Sequence, residues 1–132
     1  MKANLRKLIG MALLGLAMFS NSVPAWAGQK LSREVEVGSN FARGSTVTAR
    51  YSPDSKQRIG CFFETNVTPV GAGSCSAVDK TGKSFSCYVG GDARWTTVIK
   101  AINDSSVIHF AANSNGGSCH TLIIENHSSY LR

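Results

Sequence analysis

Residues 74 to 89 read SCSAVDKTGKSFSCYV. Alternating runs at 74 to 79 and 83 to 89 flank Lys80-Thr81-Gly82, and a glycine in the third loop position suits the left-handed residue of a three-residue hairpin turn. In a regular hairpin, residues placed symmetrically about Thr81 face each other, so Cys75 lies opposite Cys87. Upstream, 57 to 65 alternates again, with Ile59, Cys61 and Phe63 on one face and Phe62 and Glu64 on the other. Centring the 66 to 73 connection near Thr68 or Pro69 brings Cys61 beside Cys75. Three cysteines then form a row across three adjacent strands, and only one pair in that row can bond, which leaves the third for Cys119.

Further out, 45 to 51 sets Val47, Ala49 and Tyr51 against Thr46, Thr48 and Arg50, which predicts a strand ended by the turn residues Ser52-Pro53-Asp54-Ser55. Residues 28 to 44 read as an arm or an edge strand, with a short alternation through Val35 and Val37. Downstream, Asp92 is placed to cap a helix on which Trp95, Val98, Ile99 and Ile102 fall at i, i+3, i+4 and i+7. That spacing assigns Trp95 to the core rather than to an exposed platform for a sugar or partner. Strands follow at 106 to 111 and about 118 to 126, separated by a turn at 113 to 117. The fold class this implies is α+β, a mostly antiparallel meander with one covering helix, stapled by disulfides; a β-sandwich with one helix is the alternative.

The last hairpin carries a conflict. Centred on Asn115, it sets His109 opposite Thr121 and His120 opposite Phe110. Its more apolar face is then Ile108, Phe110, Leu122 and Ile124, whereas Cys119 points the other way with Thr121 and Ile123. A bulge at Gly116-Gly117, or a sheet buried on both faces, would reconcile them.

The start of the chain resembles an export signal. Lys2, Arg6 and Lys7 precede an apolar run from Leu8 to Phe19, and Ala25-Trp26-Ala27 offers a small-x-small cleavage site. Residues 1–27 are therefore expected to be a signal peptide and 28–132 a single exported domain, with no stable membrane span after cleavage, since the run falls short of the ~20 residues a span needs. The whole chain of 132 residues has 14 Lys and Arg against 8 Asp and Glu, a net charge of +6. Three of those cations lie in the leader, so the remainder carries +3. Its cations are spread among acids without an aromatic-studded basic stripe, which argues against nucleic acid as a partner.

All four cysteines lie beyond residue 27. An even count in an exported chain argues for two disulfides. Their spacing holds no C-x-x-C pair of the kind that binds zinc, so neither a metal nor a cofactor is expected. Four cysteines allow three pairings. Cys61–Cys75 with Cys87–Cys119 is preferred, because the second bridge would tie the last strand to the middle of the meander.

Catalytic chemistry would have to start from His109 or His120, with Glu64, Asp54 or a serine nearby. The two histidines are expected on opposite sides of their sheet, His127 falls in a terminal turn, and Asp54, Asp79, Asp92 and Asp104 sit where turns and caps place acids. No nucleophile elbow, zinc-protease helix or phosphate loop is present. The expected function is a non-enzymatic exported binding module, an inhibitor or accessory factor for a protein or envelope glycan. A small secreted hydrolase using a histidine and a structural envelope protein are the other readings.

The segments Arg58-Ile59-Gly60-Cys61, Ser74-Cys75-Ser76-Ala77, Ser86-Cys87-Tyr88, Ile99 to Ile102, Ser118-Cys119-His120-Thr121 and Ser128-Ser129-Tyr130 resemble small secreted bacterial four-cysteine proteins of uncharacterised function. The resemblance spans about residues 45 to 130 and rests on cysteine context. It implies export to the periplasm or beyond and one domain, and lends no catalytic residue.

Overall fold

The structure, a computed structural model, describes residues 32–64 and 71–127. The expected signal peptide, the centre of the 66 to 73 loop and Ser128-Ser129-Tyr130 lie outside the described residues.

Among the described residues, seven strands and two helices run in the order β1 (Glu36–Val37), β2 (Phe41–Ser45), α1 (Thr46–Arg50), β3 (Arg58–Glu64), β4 (Ala72–Val78), β5 (Ser84–Val89), α2 (Ala93–Lys100), β6 (Ser106–Ala112) and β7 (Cys119–Asn126). The protein is α+β, mostly antiparallel and disulfide-stapled. Its strands divide between two sheets: a three-stranded meander β3-β4-β5 and a four-stranded sheet in the order β1-β2-β6-β7.

The apolar faces of the two sheets meet. Cys75, Ala77, Phe85, Cys87 and Val89 come from the meander, and Val37, Ala42, Ile108, Phe110, Ala112 and Cys119 from the larger sheet. Phe85 and Phe110 stack across the interface with ring centroids 5.9 Å apart. Helix α2 packs on both β3 and β7, and its Trp95 and Ile99, with Ile102 just past its end, pack against the core. Of the expected stripe, the i, i+4 and i+7 positions thus close one side of the molecule, and Val98 at i+3 is not among the residues packed on the core. Asp92 caps it, accepting from the Arg94 amide at 2.8 Å, and its carboxyl is held below the usual carboxylate range by that arginine's side chain and then by its amide.

The β6–β7 turn closes the opposite side. The Tyr88 amide donates to the Gly117 carbonyl and the Gly116 amide to the Ser86 carbonyl, each at 2.8 Å, while Asn115 Oδ1 accepts from the Ser86 amide. The outer edge of β5 is therefore spent on this turn and is not an open template for another strand.

The β4–β5 hairpin places Gly82 at φ +93°, where an L side chain is strained. Asp79 organises the loop: its Oδ1 accepts from the Thr81 amide, the Thr81 hydroxyl and the Lys83 amide at 2.7–3.0 Å. Cys75 pairs with Cys87 and with Cys61 on its other side. The disulfides join Cys61 to Cys75 and Cys87 to Cys119. The first links neighbours in one sheet; the second links the two sheets.

The expected strand at 45 to 51 is corrected. The strand is β2, ending at Ser45, and 46 to 50 turns into the helix α1. Ser45 caps it, its hydroxyl accepting from the Thr48 amide at 3.4 Å. Thr and Val favour strands, so local preference is overridden from outside. The Thr46 hydroxyl lies 2.9–3.2 Å from the carbonyls of Asn103, Asp104 and Ser106, and Arg50 pairs with Asp104 at 3.0 Å. Those contacts bind α1 to the α2–β6 loop.

The last hairpin is corrected too. His109 faces Ile123 and Phe110 faces Leu122, two residues from the expected register, and a shift lies between Ala111 and Ala112, whose partners are Thr121 and Cys119. His120 is the extra residue of that bulge. Passing it inverts the alternation, so Cys119 joins Leu122 and Ile124 on the core side. The bulge sits at His120 and not at Gly116-Gly117.

Gly73 is a packing requirement. A Cβ there would come within 2.2 Å of the Phe62 carbonyl oxygen and 3.1 Å of the Phe63 Cα, and backbone cannot move aside as a side-chain tip can. Gly73→Ala is expected to destabilise the protein by about 1–3 kcal/mol, as overpacking does, and to broaden or shift the amide resonances of 60 to 64. An unchanged urea midpoint would contradict this placement.

Candidate functional site

The residues from which catalysis would start are not brought together. His109 lies on the outer face of the larger sheet, in register with Arg43 and Ile123 and edge-on to Phe41 at 6.0 Å. His120 is exposed at the bulge, its Nδ1 2.9 Å from the Thr121 hydroxyl. Glu64 is exposed at the end of β3, in the other sheet. Among the described residues no three His, Cys, Asp or Glu side chains gather where they could hold a metal ion.

The acids serve local architecture. Asp54 accepts from the Ser52 hydroxyl, from both the amide and the side chain of Gln57, and from the Lys56 amide. These bonds, led by the Gln57 side chain and then Ser52, hold its carboxyl far below the usual carboxylate range. Gln57 in turn accepts from the Val35 amide at 2.8 Å, so the loop fastens the N-terminal arm.

A folded pKa below the unfolded one means stability that is complete above the unfolded value and lost as pH falls through the folded one. Asp54, Asp79 and Asp92 are all shifted down. Thermal stability is therefore expected to decline as pH drops below about 4, where unfolded carboxylates take up protons. Asp54→Asn should flatten that decline and lower stability at neutral pH. Melts of both proteins between pH 7 and pH 2 test it; parallel curves would remove Asp54 from the account.

Two clefts open on the surface. One of about 430 Å³ lies among α1, β3 and the α2–β6 loop, with Ala49, Ile59 and Ile102 in its lining and Arg50, Arg58 and Asp104 around them. The other, about 500 Å³, lies between the arm and the β4–β5 turn and carries the ion pairs Glu34–Lys80 and Glu36–Arg43. Neither is lined by a histidine or by Glu64.

The outer face of the meander has a different character. Side chains alternate across the sheet, and the residues next to the core cysteines face outward. Phe62, Ser74 and Tyr88 form one register row across β3, β4 and β5, and Gly60, Ser76 and Ser86 form the next. Phe62 is 60% exposed and Tyr88 47%. Neither the Tyr88 phenol nor the Ser74 or Ser76 hydroxyl has a hydrogen-bond partner among the described residues. A Cβ built at Gly60 meets nothing within 4 Å. Two aromatic side chains thus flank a low, uncharged strip of hydroxyls, all mounted on strands fixed by both disulfides.

Sequence reasoning set Phe62 on the face opposite Cys61 but gave it no role, and it gave none to Tyr88. The signal was available: the symmetry that aligns Cys61, Cys75 and Cys87 also aligns Phe62, Ser74 and Tyr88, one residue later on β3 and β5 and one earlier on β4. The cleft beside β3 depends on α1, whose helix the alternation concealed.

No family model, no curated protein and no solved structure matches this chain. The class of molecule rests on its architecture alone: a two-sheet, disulfide-stapled α+β domain with an aromatic-flanked face. No helix among the described residues is long and apolar enough to cross a membrane.

Proposed function

We propose that the protein is a non-enzymatic exported binding module whose binding surface is the outer face of β3-β4-β5, its partner a protein or an envelope glycan. The observation that carries this reading is the exposed row Phe62-Ser74-Tyr88. Large aromatics left in solvent on a rigid sheet offer contact area at little cost in side-chain entropy. The two disulfides accord with an oxidising compartment outside the cytoplasm, and the signal-like start of the chain supports export. Glu64 lies in a different sheet from the histidines and none of them lines either cleft, which favours the binding reading over a hydrolase.

Affinity capture from the host envelope and culture fluid tests this, with the oxidised protein as bait and its reduced, alkylated form as control. A partner retained by the oxidised bait is expected to be lost from Phe62→Ala and Tyr88→Ala baits and kept by Ile123→Ala, which removes a comparably exposed side chain from the other sheet. Equal recovery on all four would remove the meander face from the function.

A further inference from the structure

Resting on that reading of the meander face, we infer that its ligand is an uncharged, extended glycan chain of equatorially linked hexopyranoses, lying across the strands from Phe62 to Tyr88. Three features of the row select this chemistry. Neighbouring strands are spaced so that residues on β3 and β5 stand about 10 Å apart, the length of two residues in such a chain. Each aromatic ring can then meet the axial C–H face of a pyranose, and the polar ring edges are left for hydrogen bonds.

The surface between the aromatics supplies those bonds. Ser74 and Ser76 on β4 and the Tyr88 phenol are hydroxyls that both donate and accept, and none is used within the described residues. A sugar hydroxyl, itself donor and acceptor, is their natural complement. The strip is also low. Gly60 and the serines raise nothing above a hydroxyl between Phe62 and Tyr88, so a flat ribbon lies on it without obstruction.

The same features disfavour a protein partner. Protein hot spots need a packed pocket that excludes water around the anchor, and no aliphatic side chain stands in either row. Single-stranded nucleic acid stacks on aromatics but requires cations tracking its backbone, and neither row carries a charged residue.

The test titrates the oxidised protein with the hexamer of β-1,4-linked N-acetylglucosamine, followed by NMR of the β3, β4 and β5 amides and by calorimetry. Maltohexaose, α-linked and coiled, is the control. The β-linked hexamer is expected to shift amides of 60 to 62, 74 to 76 and 86 to 88, and to bind at least about tenfold tighter than maltohexaose. Phe62→Ala and Tyr88→Ala should each weaken it about tenfold, Tyr88→Phe less, and Ile123→Ala not at all.

Absence of binding at millimolar hexamer, equal binding of both sugars, or shifts confined to the other sheet would overturn the glycan assignment. If the envelope capture still depends on Phe62 and Tyr88 in that event, the face binds a protein and the broader reading stands. If it does not, both fall.

Discussion

Replacing Cys87 and Cys119 together by alanine is expected to cost about 4 kcal/mol of stability, against about 3 kcal/mol for Cys61 and Cys75. The chain-entropy relation gives these values for sequence separations of 32 and 14. Structure widens the difference. Cys61 and Cys75 already face each other on hydrogen-bonded strands, so the ladder holds their segments without the bridge. Cys87 and Cys119 belong to different sheets, and their bond pins the start of β7 beside its bulge. Alanine is the proper replacement because Cys75 and Cys87 are fully buried, and a serine hydroxyl there would lack a partner. Against a total stability of about 5–15 kcal/mol, losing the inter-sheet bridge should lower the melting temperature by about 20 °C. Thermal melts of the two double variants check this; greater damage from Cys61→Ala/Cys75→Ala would mean that the inter-sheet bridge is not the principal staple.

Phe110→Ala should cost a similar amount, about 3–5 kcal/mol. Phe110 is fully buried on β6, which is hydrogen-bonded on both sides, to β2 and β7, and its ring stacks on Phe85 from the opposite sheet. Deleting the ring removes its burial energy and leaves a void between sheets that disulfide and ladder hold apart, so little collapse can refill it. Phe62→Ala supplies the contrast, since that ring is mostly in water and its loss should change stability by no more than about 0.5 kcal/mol. Urea midpoints of the two variants measured together test the assignment of one phenylalanine to the core and the other to the binding face. Equal losses would refute it.

The meander was legible because its signals are local and mutually consistent. A glycine at the left-handed loop position, an aspartate before it and uninterrupted alternation on both sides fix the register of β4 and β5 with no help from the rest of the chain. The same holds for α2, where Asp92 and the stripe through Trp95, Ile99 and Ile102 mark both its start and its buried face. Since the binding face is the reverse side of the meander, it too is set by that register.

Two elements were misread where distant partners outweigh local preference. At 46 to 50, residues suited to a strand turn helical because Ser45 caps the turn and Thr46 and Arg50 reach carbonyl and carboxylate groups more than fifty residues away. At His120, alternation alone cannot reveal a bulge, because one added residue leaves the composition unchanged and inverts only the facing of the residues beyond it. The core decides it: Cys119 must reach Cys87 while Leu122 and Ile124 stay packed against the core, and one unpaired residue between them satisfies both.

The sequence by itself therefore determined the short-range choices: the β4–β5 hairpin, the line of Cys61, Cys75 and Cys87, the capped helix and its apolar stripe. The tertiary structure alone decided the division into two sheets, the helical turn after β2, the bulge at His120 and the closing of β5 by the β6–β7 turn. Each of these depends on contacts between segments far apart in the chain, whose free energy exists only once both are in place. No local pattern encodes it.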